Sequence, residues 1–358
     1  MDDLKISNTS GRITAATVAA HIGLSKATVT HVLNGRATEQ RIRPETQKRV
    51  LDAALELGYR PNLSARAIRT GRFGCAALIQ SLKALYLPTE LLQGISEALA
   101  EHDMHLSVAE VPEEVLDNES YVPKIVRELS ADGLLINRIQ QIPPAFLDRL
   151  RALQTPAIFI NVKQEYDSAH PDDMSGGKIA TDHLIELGHQ HIAYVSSEVN
   201  LEQHYSEMDR RVGYEQAMAT AGYRTTTWCL PADPVGPDFP YPDLRVQMAQ
   251  ELLSRPDRPT AIVTYEIAEA MAFVHASAIL GLRIPQDISL VTFHWGIDAR
   301  LCIPITTVTN AMRLVGREAV HMLIDKLHSG DQLLKTRAVP VTLIPGATSG
   351  PAATRKSL

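Results

Sequence analysis

The chain has 358 residues, 45% of them hydrophobic and 21% charged, a balance that excludes a disordered polymer and a length that predicts more than one domain. No apolar run approaches the ~18 residues needed to cross a bilayer, so no membrane partner is expected. The start, MDDLKISNTSG, is acidic and polar and does not read as a secretory signal, and the three cysteines (Cys75, Cys229, Cys302) stand too far apart for a disulfide framework or a four-thiolate zinc site. A cytoplasmic chain without a metal or other cofactor is expected.

The formal charge of −6 is unevenly spread. Residues 1–72 carry 12 Lys+Arg against 6 Asp+Glu, and the remainder carries 23 against 35. A basic head on an acidic body suits a nucleic-acid-binding module joined to something else, although a solvated basic helix surface gives the same count.

In chain order, Thr14–His21 reads as a helix with Val18, Ala19 and Ile22 at helical spacing, broken at Gly23. Ser25 is a good N-cap for a second helix, Ser25–Leu33, which turns Ala27, Val29, Val32 and Leu33 toward a core before Asn34-Gly35 ends it. A third helix starts at Pro44 and runs to Leu57 before Gly58. From Gly74 the texture changes to alternating apolar strands and amphipathic helices. Strands are expected at Cys75–Gln80, His105–Glu110, Gly133–Asn137, Ala157–Asn161, His191–Ser196, Thr260–Thr264 and Ile288–Phe293, with helices such as Thr89–Glu101, Gly176–Leu187, Met208–Ala221 and Glu269–Leu280 between them. That alternation predicts doubly wound parallel sheets, and about 270 residues favour two lobes. A last element, Ala338–Ile344, precedes a Gly/Pro/Ser-containing tail expected to be disordered.

Two short helices joined by a Gly-containing turn make a helix-turn-helix candidate. Small residues are expected where the helices cross (Ala19, Ala20, Ala27), a shared core at Val18, Leu24, Val29 and Leu33, and a polar outward face of Lys26, Thr28, Thr30 and His31. A plain helical hairpin fits the same pattern.

Longer strings sharpen the reading. TVAAHIGLSKATVTHVLNG, then RPETQKRVLDAALELGYRPNLSARAIRTGR, resembles the DNA-binding head and hinge of the lactose-repressor (LacI/GalR) family. DGLLI, GGKIATDHLIELGHQHIAYV, RPDRPTAIV, GLRIPQDISLVTF and ITTV followed by GREAVHMLIDKL extend the resemblance over roughly residues 13–345. It implies an all-α helix-turn-helix head at 1–60, a hinge at 61–73 and a two-lobed, periplasmic-binding-protein-like α/β body at 74–345, with a flexible tail at 346–358. The first lobe is expected to take about 74–161 and 295–325, and the second about 162–294 and 326–345.

The resemblance also implies roles. Lys26, Ala27 and His31 fall at base-contacting positions, where Lys can donate to guanine, Ala can touch a thymine methyl and His can donate to an acceptor edge. Ser25, Thr28 and Thr30 are the expected phosphate contacts, and Asn34 and Asn62 complete the DNA-facing set. The loop to Arg43 looks long, and its arginines either touch phosphate or are solvated. Leu63–Arg69 resembles the hinge helix that pairs in a dimer and wedges an aliphatic side chain, here Ile68, into the minor groove. Ala65 would permit close approach, and Arg66 and Arg69 would reach phosphates. The partners implied are a double-stranded operator, a second copy of the chain and a small effector between the lobes.

The expected effector residues are Tyr86, Asn161, Arg210, Tyr265, His294 and Trp295. Arg210, three residues before Gly213, matches the arginine that grips ligand oxygens. Where the family carries Asn-Asp and Asp-Asp, this chain has Tyr265-Glu266 and His294-Trp295. With Arg210 kept and an acid lost to His294, an anionic or aromatic-bearing effector is expected, such as a sugar acid or phosphorylated sugar; the alternative is that His294 and Trp295 only pack. The paired histidines at 102/105 and 189/191 lack a third ligand and read as structural, and no catalytic constellation is visible. The expected function is a ligand-responsive transcriptional repressor; a solute receptor of the same body fold is the competing reading, and an enzyme is disfavoured.

Overall fold

The computed structural model describes residues 13–59, 71–81, 88–111, 131–137, 142, 144–152, 154–197, 204–231, 243–294, 303–330 and 332–353. The expectations for Asn62, Ala65, Arg66, Ile68, Arg69, Tyr86 and Trp295 lie outside those residues. The chain divides into two units, Met1–Phe73 and Gly74–Leu358.

In the first unit, Thr14 caps α1 (Ala15–Ile22) through a reciprocal bond with Thr17. Gly23 ends the helix in the left-handed region at φ 66°, which only glycine adopts freely. Ser25 then caps α2 (Lys26–Leu33) by accepting the Thr28 N–H at 3.1 Å. Pro44 opens α3 (Pro44–Glu56). Val18, Val29 and Val50, one from each helix, are sealed at 0% exposure and form the core with Ala19, Val32, Ala53 and Ala54. The loop after α2 is pinned by Ala37, buried in the same cluster. Ala20 and Ala27 are exposed rather than at the helix crossing, because the valines already fill the contact.

The second unit holds two six-stranded sheets. The first is built from β1 (Cys75–Ser81), β2 (His105–Val111), β3 (Gly133–Asn137), β4 (Ala157–Ile160), β5 (Ser168–Pro171) and β11 (Arg337–Val339), in the order β11-β5-β4-β3-β1-β2, parallel throughout. The second contains β6 (Ile192–Ser197), β7 (Thr226–Leu230), β8 (Ala261–Thr264), β9 (Ser289–His294), β10 (Thr306–Thr309) and β12 (Leu343–Ile344), in the order β12-β10-β9-β8-β6-β7, with only β12 antiparallel. The central strands are buried along their whole length, as strands covered on both faces must be. In the first lobe, α4 (Thr89–Ala100) and α10 (Met312–Ser329) pack on one face and α5 (Pro144–Ala152) on the other. In the second, α6 (Asp173–Glu186) and α7 (Tyr205–Thr220) oppose α8 (Asp243–Leu253) and α9 (Ile267–Leu280) across the sheet.

The division between lobes differs from the expected one. Ser168–Pro171 joins the first sheet and Thr306–Thr309 the second, while α10 returns to the first lobe. The single element expected at Ala338–Ile344 is two strands in two sheets, so the last of the three crossings between lobes falls inside it rather than near residue 325. The tail is also ordered where it is described. Thr348 O accepts the Leu290 N–H at 2.7 Å, its hydroxyl accepts from Thr306 N at 2.9 Å, and Ala352 N donates to Leu187 O at 2.9 Å. His189 is hydrogen-bonded to Thr260, Ser289 and the Gly350 carbonyl, which assigns it to this strap rather than to a metal pair.

Each lobe contains one very close helix crossing. A Cβ on Gly94 would lie 2.0 Å from the Arg313 carbonyl oxygen, and one on Gly177 would lie 2.0 Å from that of Arg210. Gly213 meets Met174 O in the same way at 2.1 Å, so α6 and α7 touch backbone to backbone. That contact sets the depth at which Arg210 enters the second lobe. Among the described residues no helix is long and apolar enough to cross a membrane.

Candidate functional site

The first site is the outward face of α2. Lys26 and Ala27 are exposed in its first turn, immediately after the Ser25 cap, and Thr28, Thr30 and His31 are partly exposed. Ser25 Oγ lies 2.9 Å from Thr28 Oγ1, so these two hydroxyls hold each other as well as the helix end. Asn34 is exposed, but its side-chain amide donates to Thr30 O at 2.6 Å and caps the far end of the helix. Arg49, on α3, donates to Ile22 O at 3.2 Å and ties the third helix to the turn. A rigid helix thus presents a cation and a methyl side by side, with hydroxyls behind them, which is the donor and apolar pairing that reads base edges and phosphates.

The second site lies at the carboxyl ends of the two sheets, where ligands bind in open α/β folds. From the first sheet come Gln80, Asn137 and Asn161, and from the second Ser196, Ser197, Tyr265, His294 and Asn310. The lobes meet directly here. Lys163 donates to both carboxylate oxygens of Asp209, at 2.8 and 2.6 Å, and His204 Nε2 is hydrogen-bonded to the Asn161 carbonyl at 2.9 Å. Asn161 sits at φ 58°, a conformation asparagine tolerates better than most residues. The Tyr205 ring packs edge-on to His170 and against His204, and its hydroxyl donates to Asn161 Oδ1 at 3.4 Å.

Arg210 is at the centre of the second lobe's wall, but it does not offer a free fork. Its Nε donates to Asp173 at 2.7 Å, one terminal nitrogen to Tyr265 O at 2.6 Å, and the other to Asn310 Oδ1 at 3.2 Å. The guanidinium is stacked over the Tyr265 and Phe293 rings, at 4.7 and 4.2 Å. Burial opposes its charge, yet Asp173 holds it above its usual range. Three of the five N–H groups expected to grip ligand oxygens thus face protein acceptors, with Asp173 at the start of α6, directly across the glycine crossing. Tyr265 is buried with its hydroxyl on Ser206 at 2.8 Å, and burial pushes it up to about 12. His294 is buried at the end of β9 and its carbonyl accepts from Asn310 N.

Four carboxylates belong to this wall, of which sequence reading missed Glu207 and Glu269. Asp173, Glu207 and Glu269 are buried, and Glu266 keeps solvent contact although protein surrounds it on most sides. Glu207 reaches Ser196 and Glu269 reaches Ser197, so two acids approach consecutive hydroxyls at the end of β6. Burial raises Glu207, Glu266 and Glu269, and the nearby Glu266 adds to the shift of Glu269, which stands at about 8. Arg245, also buried, lowers both members of the Glu266–Glu269 pair. The signal available in sequence was a Glu-x-x-Glu pair directly after an apolar strand. A separate cavity of about 480 Å³ is lined by Leu147, Leu150, Phe159, Tyr166 and Leu333 above the Asp167–Lys326 ion pair, and by none of the cleft residues.

A three-helix head with an exposed reading helix, followed by a two-lobed body with a polar cleft, defines a DNA-binding regulator that responds to a ligand. Residues 14–62 match the model of bacterial regulatory proteins, lacI family, and residues 181–349 that of a periplasmic binding protein-like domain. The chain belongs to the LacI family of transcriptional regulators. It is 27% identical to the regulator AglR of Rhizobium meliloti over 355 residues, 95% of each chain, and 26% identical to the repressor PurR of Photobacterium profundum over 87% of this chain and 90% of that one. Among solved structures it is similar to a lac repressor dimer bound to operator and an anti-inducer (TM-score 0.76, 22% identity, 95% and 100% of the two chains). It is also similar to a CelR–cellobiose complex (TM-score 0.61, 24% identity, 94% and 100%).

Proposed function

We propose that the protein is a repressor that binds a palindromic operator as a homodimer and changes its DNA affinity when a small effector occupies the cleft between its lobes. The observation that carries this reading is the first turn of α2, where Lys26 and Ala27 stand exposed on a capped, rigidly packed helix. Ile68 and its neighbours Ala65, Arg66 and Arg69 would form the hinge pair and Asn62 its lead-in, with Tyr86 and Trp295 closing the cleft from the two sheets' connecting loops. A second copy would also cover the open edge of β2, where Val108 is 46% exposed. The aromatic half of the expected effector chemistry is supported by Tyr205 and Tyr265; the anionic half is weakened by the bond of Arg210 to Asp173.

A gel shift on DNA from the protein's own upstream region tests the reading, followed by site selection with wild type and Lys26→Ala. The variant is expected to lose preference at one base per half-site, on the order of 1–3 kcal/mol. If Lys26→Ala lowers affinity for every sequence alike, Lys26 contacts phosphate instead. Absence of any DNA binding, with ligand binding retained, would favour a solute receptor.

A further inference from the structure

The polar groups at the cleft are out of balance. Among the described residues, the buried side-chain atoms without a hydrogen-bond partner are Gln80 Oε1, Asp173 Oδ2, Glu207 Oε1 and the Ser277 hydroxyl. The first three are acceptors, and all three sit at the carboxyl end of a strand or in the first turn of the helix after one. Asp173 has Arg210 on its other oxygen and the Tyr205 hydroxyl nearby, and Glu207 Oε1 faces Arg211 at 3.7 Å. The cations of the same wall already have partners: Arg210 holds Asp173, Lys163 holds Asp209, and Arg245 donates to Pro231 O at 3.2 Å beside the Glu266–Glu269 pair. Leaving buried acceptors unmet is costly, and a carboxylate more so than an amide. What would complete this wall is a donor, and a charged one.

We propose that the effector is a small organic cation, an ammonium or amidinium on a compact body, whose N–H groups meet Glu207, Asp173 and Glu266 while its body lies against Tyr205. This rests on the reading of the interlobe cleft as the effector site and replaces the anionic ligand expected from the sequence. Three features favour a cation over a neutral polyol. Among the described residues, the unpartnered buried atoms of this wall, Gln80 Oε1, Asp173 Oδ2 and Glu207 Oε1, are all acceptors. The Tyr205 ring lies 4.5 Å from the His204 ring and 5.3 Å from the His170 ring, a group of π systems of the kind that attract ammonium groups. The wall's carboxyls are also held toward their neutral forms by burial, and a bound cation would draw them back to the charged form.

The test uses the full chain at pH 7 and two series matched in shape: glucosamine, glucose and glucuronate; and tyramine, 4-ethylphenol and 4-hydroxyphenylacetate. Thermal shift and titration calorimetry are run on wild type, Glu266→Gln and Glu207→Gln. In at least one series the cation is expected to raise Tm by several degrees, more than either counterpart, since a ligand that binds only the folded state stabilises it by mass action. Glu266→Gln or Glu207→Gln should weaken that binding at least tenfold. A larger shift from the neutral or anionic member, lost in these variants, would overturn the cation and leave the cleft as the effector site. A cation shift that survives both variants would overturn the site itself. No shift from either cation overturns the proposal.

Discussion

Replacing Glu269 by Gln should make the body's stability less sensitive to alkali. Glu269 is fully buried in the first turn of α9, where Oε2 accepts the Glu266 N–H at 3.1 Å. Burial, and then the Glu266 carboxylate, push its pKa from an ordinary 4.5 to about 8. A shift of that size corresponds to about 5 kcal/mol at roughly 1.4 kcal/mol per pH unit, a ceiling that Glu266 shares. The sign follows from proton counts. Below pH 4.5 both folded and unfolded states hold the proton, and the contribution of the neutral acid is present in full. Between 4.5 and 8 the unfolded chain has released it and the folded chain has not, so stability falls as pH rises, and above 8 the contribution is gone. Gln mimics the neutral acid and does not titrate. Urea unfolding from pH 5 to 9 should show near-equal stability at pH 5 and a Gln variant more stable by several kcal/mol at pH 9. Parallel curves for the two proteins would refute the argument, because they would mean that Glu269 is already ionised in the fold.

Two further substitutions probe the wall that holds the cleft. Arg210→Ala leaves Asp173 buried at 2% exposure without its partner and should lower stability by about 3–5 kcal/mol, read as a fall in Tm; a variant as stable as wild type would show that the pair contributes nothing to the fold. Gly177→Ala places a methyl 2.0 Å from the Arg210 carbonyl and must separate α6 from α7, costing roughly 1–3 kcal/mol and weakening effector binding through the displaced Arg210; unchanged effector affinity would mean that the helix spacing does not set the cleft.

The head and the central strands were legible in the sequence because their signals are local. Ser25 before an apolar-periodic run, Gly23 at a left-handed turn and Pro44 at a helix start each fix their own neighbourhood. Gly133–Asn137 and Ala157–Ile160 read as buried strands because both faces are covered, so every residue is apolar or capped by an end polar group. Three strands escaped: Thr226–Leu230 and Thr306–Thr309, although their Thr, Val and Trp suit a strand, and one whose chemistry contradicts strand propensity. Ser168–Pro171 contains Ser, His and Pro, and it is a strand only because β4 and β11 flank it, with Ser168 satisfied by the Val162 carbonyl. The tail was misread for a related reason. Its Gly, Pro and Ser content suits a free end, yet Thr348 and Gly350 supply backbone and hydroxyl partners that Leu290, Thr306 and Ser289 would otherwise lack.

The cleft shows why residue type alone misleads about a ligand. An arginine in an effector wall reads as an anion receptor because its fork has no acceptor and is always charged. Whether that fork faces the ligand depends on which acceptor reaches it first, and that is a matter of ångströms between helices. Gly177 and Gly213 let α6 and α7 close to backbone contact, which brings Asp173 to 2.7 Å from Arg210 and turns the guanidinium into the neutralising half of an internal pair. Two glycines that carry no charge thus decide which acceptor the guanidinium meets.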